Sequence, residues 1–162
     1  MSLKRTIVLA LALLALSAPI ALAAVTWQRG DYKGKTEGKF KPAANKPLRQ
    51  ANISFHVGRK MVDGKFQPRV SQIKVEIRVK CADGSHTSFR TEHGGFLTID
   101  ANGHFAGGAD TQTGRDNISG NVSGTHASGF VRSFDKEDRQ GNEDPNGQKC
   151  DSGRVKWTAN KQ

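Results

Sequence analysis

Residues 73–81 read Ile-Lys-Val-Glu-Ile-Arg-Val-Lys-Cys, an unbroken alternation of apolar and charged side chains. On a helix that spacing would scatter the charges around the whole circumference. On a strand it puts Ile73, Val75, Ile77, Val79 and Cys81 on one face and Lys74, Glu76, Arg78 and Lys80 on the other. The pattern predicts a half-buried β-strand. Shorter alternations of the same period recur. Tyr32, Gly34 and Thr36 oppose Lys33 and Lys35, and Ile53, Phe55 and Val57 oppose Ser54 and His56. Ile118, Gly120, Val122 and Gly124 share one side of their segment. Val155, Trp157 and Ala159 oppose Arg154, Lys156 and Thr158. Residues 96–100, 104–106 and 127–134 supply the remaining strand signals, and no helical period of useful length follows the first 23 residues.

Turn chemistry separates these runs. Asp63-Gly64, Asp83-Gly84, Ala101-Asn102-Gly103 and Thr125-His126 each fall between strand signals, and Asp-Gly and Asn-Gly tolerate the positive φ that tight hairpins need. Residues 37–50, with Pro42 and Pro47, and the polar residues 135–151 are predicted as loops. Gly120, Gly124 and Gly129 fall within one predicted hairpin and indicate tight curvature there. The whole predicts an all-β, antiparallel domain of about eight or nine strands, up-and-down and barrel-like, with a two-sheet β-sandwich as the alternative. In a barrel the first and last strands must pair, because open edges invite aggregation. The expected core is Tyr32, Ile53, Phe55, Val57, Ile73, Val75, Ile77, Val79, Leu97, Ile99, Phe105, Ile118, Val122, Val131, Val155 and Trp157.

Composition adds a compartment. Lys4 and Arg5 precede an apolar run over residues 7–16, followed by Ser17-Ala18-Pro19 and the small residues of Ala21-Leu22-Ala23. This is the pattern of a signal peptide, residues 1–23, cleaved near Ala23/Ala24, and the run is shorter than the roughly 20 residues a membrane span needs. Residues 24–162 then form a single exported domain, periplasmic or extracellular, with no stable membrane span after cleavage. The formal charge of +10 becomes +8 without Lys4 and Arg5, which favours acidic partners. Cys81 and Cys150 are the two cysteines, and in an exported chain they allow one disulfide.

The motifs carry little chemistry. His56, His86, His93, His104 and His126 occur singly, at none of the spacings that mark a local metal site. No Gly-x-Ser-x-Gly elbow accompanies the abundant serines. Asn142-x-Asp144-x-Asn146-Gly147 matches half of a calcium loop but lacks its first Asp and its closing Glu. No catalytic, cofactor-binding or metal-ligating residue is assigned. The outward positions say more. Lys33, Lys35, Lys74, Arg78, Lys80, Arg154 and Lys156 all fall on the solvent side of predicted strands, where a polyanion would gain affinity by counterion release. Lys39, Lys41, Lys46 and Arg49 could extend such a face as an arm.

Several segments together resemble a known group. They are Gly30-Asp31-Tyr32-Lys33-Gly34-Lys35-Thr36, Ile53-Ser54-Phe55-His56-Val57 and Cys81-Ala82-Asp83-Gly84. To these are added Ile118-Ser119-Gly120-Asn121-Val122-Ser123-Gly124, Ala127-Ser128-Gly129 and Cys150-Asp151-Ser152-Gly153-Arg154-Val155-Lys156-Trp157-Thr158-Ala159. In this order they are similar to a group of small exported bacterial β-domain proteins of unassigned function. The resemblance implies a bacterial exported protein and a disulfide, and no catalytic residue carries over. The expectation is a non-enzymatic exported binding or structural domain that acts through its basic surface on a polyanion or cell-envelope polymer. The alternatives are a carrier barrel with an internal apolar pocket and, further off, a hydrolase or metalloprotein.

Overall fold

The computed structural model describes residues 26–110, 114–135 and 150–162. The expected signal peptide, residues 1–23, and the half-matched calcium loop lie outside these. Nine antiparallel strands form: β1 (Gly30–Phe40), β2 (Arg49–Val62), β3 (Lys65–Cys81), β4 (His86–Thr98), β5 (His104–Asp110), β6 (Gly114–Ser123), β7 (His126–Asp135), β8 (Cys150–Asp151) and β9 (Val155–Lys161). They run side by side in the order β4-β3-β2-β1-β9-β7-β6-β5, with β8 bridging β3 and β7. A closed ring of six strands results, β1-β2-β3-β8-β7-β9, with β4 added to β3 and β6-β5 added to β7. The barrel expectation holds. β1 and β9 are neighbours, and β9 joins the two meanders.

Three local devices make the ring. Asp63 and Gly64 take φ of 49° and 74°, so β2 and β3 are joined by the two-residue turn that Asp-Gly favours. Gln72, at φ 52°, stands where β3 shifts register against both neighbours: β3 carries the extra residue opposite β2, β4 carries it opposite β3, and the two bulges bend the long strand around the barrel. The third device is Cys81–Cys150. These residues lie directly opposite each other on β3 and β8, and their disulfide fastens a two-residue strand that closes the ring.

The interior is an aromatic column. The rings of Tyr32 and Phe55 stack at 5.2 Å, Trp157 meets Phe55 edge-on at 5.7 Å, and Phe105 lies 6.1 Å from Trp157. Thr36, Trp157, Gly129, Gly120 and Phe105 occupy one row across β1, β9, β7, β6 and β5. The indole lies across the two glycines of that row. A Cβ on Gly129 would come within 2.7 Å of Trp157 Cζ2, and one on Gly120 would overlap the same atom. This corrects one sequence reading. Gly120 and Gly129 serve as a floor for the indole, and only Gly124, at φ 58°, serves a turn. That turn is Gly124-Thr125, one residue earlier than expected, because Ser123 pairs with His126.

Other boundaries also moved. Residues 37–40 and 49–50 continue β1 and β2, leaving a loop of residues 41–48. Cys150 and Asp151 form a strand inside the stretch read as loop. Most of β4 went unread because its covered positions include Thr91 and His93, not an apolar alternation. Leu97 and Val155 sit at the margin of the core, which Val70, Phe40 and Ala127 join from outside the expected set.

Substituting Gly120 by alanine is expected to force the indole off its floor and destabilise by about 1–3 kcal/mol, the usual cost of overpacking. Urea denaturation of the variant checks this; an unchanged midpoint would show that the row has slack. Breaking Cys81–Cys150, 69 residues apart, should remove about 4 kcal/mol, read as the shift in denaturation midpoint on reduction or in the Cys81→Ser/Cys150→Ser variant.

Candidate anion-binding groove

The barrel register sorts the outward cations. Lys35 on β1 stands opposite Asn52 on one side and Thr158 on the other. Thr158 faces Ser128, Ser128 faces Asn121, and Asn121 faces His104. A continuous polar row therefore crosses six strands from β2 to β5. Beside it runs a second row, Lys156-Phe130-Ser119-Ala106. These rows line an open groove of about 570 Å³, with Gln50 and Glu37 at its β1 end and Arg154 above Phe130. Three of the seven expected cations converge there: Lys35, Arg154 and Lys156.

Each of the three is held differently. The Lys35 ammonium donates to Asn52 Oδ1 at 2.6 Å. The Arg154 guanidinium lies 3.7 Å from the centre of the Phe130 ring, within range of a cation–π contact. Lys156 stands directly opposite Phe130 across the β7–β9 pair. Among the described residues none of them forms an ion pair. Among the described residues Glu37 is the groove's one carboxylate, and it works against an anion.

The other four cations lie elsewhere. Lys33 and Lys74 share a row on either side of Ser54, and Lys74 is tied to Glu92 at 2.9 Å. Arg78 and Lys80 sit further along β3, opposite Ser88 and His86, and Lys80 also faces Asp151 across the short β3–β8 pair. Asp151 itself is engaged by Arg132, whose guanidinium reaches it at 2.5 Å. The Arg132 charge and hydrogen bonds hold the Asp151 carboxyl below its ordinary range against the opposing effect of burial.

Glu76 departs from the sequence expectation altogether. It points outward, as the alternation requires, yet only 7% of it is exposed. Arg49 grips it with both guanidinium nitrogens at 2.6 Å, Arg90 adds a bond at 3.1 Å, and Asn52 donates from its backbone and its side chain. Burial alone would raise this carboxyl. The hydrogen bonds from Arg49, Asn52 and Arg90, with the Arg49 charge, outweigh it and hold it at about 2. Arg49 is thereby fixed to the barrel wall and is no part of a mobile arm.

The five histidines do not converge. His56 bonds Asp31 at 2.7 Å, His104 approaches Asp100 at 3.9 Å, His126 bonds Asn160 and His86 is exposed on β4. His93 alone is buried, near Asp116, which accepts a hydrogen bond from Thr91 and is itself 1% exposed. Burial pushes the His93 imidazole down, and the Asp116 carboxylate offsets this only in part. Thr91 and His93 on β4 and Asp116 on β6 form the polar seam where the two added strands face each other. Among the described residues no three His, Cys, Asp or Glu side chains form a metal-binding group.

Sequence reasoning missed two participants. Phe130 alternates outward with Ser128, Arg132 and Phe134, a signal that was available in residues 127–134. His104 joins the groove only because β5 carries the polar row to its end, which no local pattern shows. The class so defined is a closed, disulfide-linked β-barrel with a cation-lined outer groove. Compared with models of protein families, with curated proteins and with solved structures, the chain matches none.

The Glu76 and His93 shifts set an acid dependence. Both groups have folded values below their unfolded ones, so the unfolded chain takes up protons first and acid destabilises the fold. Stability should weaken slightly as pH falls through 6.5, from His93. It should then drop by about 3 kcal/mol between pH 4.5 and pH 2, from Glu76. Denaturation midpoints across pH check this. The lower limb should be shallower in Glu76→Gln, which lowers stability at neutral pH instead and keeps the acid dependence of Asp151.

Proposed function

We propose that this protein is an exported, non-enzymatic binding domain that holds anionic polymers, such as those of a cell envelope, along the outer groove of its barrel. The observation that carries the reading is the convergence of Lys35, Arg154 and Lys156 on one groove beside a row of neutral hydrogen-bonding side chains. The cations supply attraction. Gln50, Asn121, Ser128 and Thr158 supply the donors and acceptors that a polysaccharide or similarly hydroxylated chain would need. Phe130 offers an apolar face, although Arg154 covers one side of it. The groove is open and crosses strands, which suits an extended polymer better than a compact small molecule.

Two further facts support a surface function over an internal carrier. The interior is occupied by the aromatic column of Tyr32, Phe55, Phe105 and Trp157, and the groove is lined mostly by outward positions, with Thr36, Gly120, Gly129 and Trp157 of the interior row behind them. A disulfide fits an oxidising compartment, in keeping with export.

Heparin retention tests the proposal. Affinity should fall steeply with salt, and Lys35→Gln, Arg154→Gln and Lys156→Gln should each lower the salt slope by about one. Glu37→Gln should strengthen binding. Lys74→Gln should have little effect, because Lys74 is already paired with Glu92. Retention that does not change with salt, or that ignores the three groove substitutions, overturns the reading.

A further inference from the structure

A second basic surface lies where the β2–β3 hairpin runs past the last buried pair, Val57 and Val70. The five residue steps from there to the turn carry the hairpin roughly 16 Å further. Near its tip Met61 faces Phe66 across the two strands, 51% and 64% exposed. Phe66 is the most exposed of the large apolar side chains on the described surface.

Cations lie on both faces of the same hairpin: Arg59 shares the face of Met61, and Lys60 and Arg69 take the other. Lys60 Nζ and Arg69 Cζ each lie 3.9 Å from the centre of the Phe96 ring, and Arg59 stands 5.4 Å from the Trp27 ring. Arg29, Arg59, Lys60 and Arg69 line one open concavity of about 610 Å³, whose lining includes no carboxylate among the described residues. Lys65 flanks the turn. Two acids are near: Asp31 is engaged by His56, and Asp63 sits in the turn itself. None of these four lining cations forms an ion pair among the described residues.

We infer that this hairpin docks the protein on an anionic lipid bilayer, with Met61 and Phe66 entering the headgroup region and Arg29, Arg59, Lys60, Lys65 and Arg69 meeting lipid phosphates. Charge complementarity selects an anionic partner, and the apolar pair selects a bilayer among anionic partners. A soluble polyanion gains nothing from Met61 and Phe66, whereas a membrane surface gains from both features together. The site is distinct from the groove on β1, β9 and β7, and either can fail without the other.

The test uses protein recovered after export, its mass checked for loss of residues 1–23, because an attached apolar leader would bind vesicles by itself. Co-sedimentation with phosphatidylcholine vesicles should be weak, and should become strong when phosphatidylglycerol is included. Met61→Ser/Phe66→Ser should weaken that binding at least tenfold, and each of Lys60→Gln and Arg69→Gln about fivefold. Because Met61 and Phe66 are exposed, the urea midpoint should stay at the parent value. Phe66→Trp should show an emission shift to shorter wavelength with the anionic vesicles, beyond any shift of the parent protein. Lys35→Gln, Arg154→Gln and Lys156→Gln should leave vesicle binding intact. Absence of phosphatidylglycerol-dependent sedimentation overturns the inference. So does binding that persists in Met61→Ser/Phe66→Ser, and so does an unshifted Phe66→Trp whose cations serve heparin equally well.

Discussion

The indole of Trp157 rests on the bare backbone of Gly120 and Gly129, and the barrel is organised around that contact. A tryptophan is the bulkiest side chain a six-stranded ring can hold. It fits because two neighbouring strands present no side chain at the same level of the row. The stacked pair Tyr32–Phe55 and the tilted Phe105 fill the space that remains. The Tyr32 hydroxyl lies 2.9 Å from the carbonyls of both Gln28 and Gly124, which share its single proton, so the column is satisfied at its polar end and fixes the segment that precedes β1. Large aromatic side chains contribute most of the apolar area a small core can bury, and their edge-on geometry makes the packing specific.

Closing the ring is a separate problem, solved with little hydrogen bonding. β8 has two residues, too few to hold β3 and β7 together by ladder bonds alone. The Cys81–Cys150 bond supplies covalently what the strand lacks in length. Beyond β8 the two halves of the sheet meet where β4 faces β5 and β6: Leu97 packs on Gly107, and Thr91, His93 and Asp116 form a polar seam. Side chains buried this way need partners, and the Thr91–Asp116 bond provides one. The acid sensitivity of the fold follows from the same choice of residues.

The barrel wall also decides which charges can act. Glu76 consumes Arg49 and Arg90, Glu92 consumes Lys74, and Asp151 consumes Arg132. Of the cations left over, Lys35, Arg154 and Lys156 gather at the cross-strand groove and Arg29, Arg59, Lys60 and Arg69 at the base of the β2–β3 hairpin, while Lys33, Arg78 and Lys80 stay apart. A net positive charge spread evenly over the surface would have offered neither. The paired acids therefore shape the basic surface as much as the basic residues do.

Period-two alternation fixes which face of a strand each residue occupies, since successive side chains must point to opposite sides. The sequence alone therefore determined the all-β class, most of the core from Tyr32 to Trp157, the Asp63-Gly64 hairpin and the outward placement of all seven candidate cations. Three things depended on tertiary structure. Strand β4 was hidden because its inward residues are polar and find their partners on a distant strand. The function of Gly120 and Gly129 was hidden because a glycine's pattern looks the same whether it bends a chain or makes room for an indole forty residues ahead or nearer. Above all, alternation says nothing about which strands are neighbours. Lys35, Arg154 and Lys156 share a groove, and Lys74, Arg78 and Lys80 do not, because β9 inserts between β1 and β7. Face is a property of local backbone geometry, and neighbourhood is a property of the closed sheet.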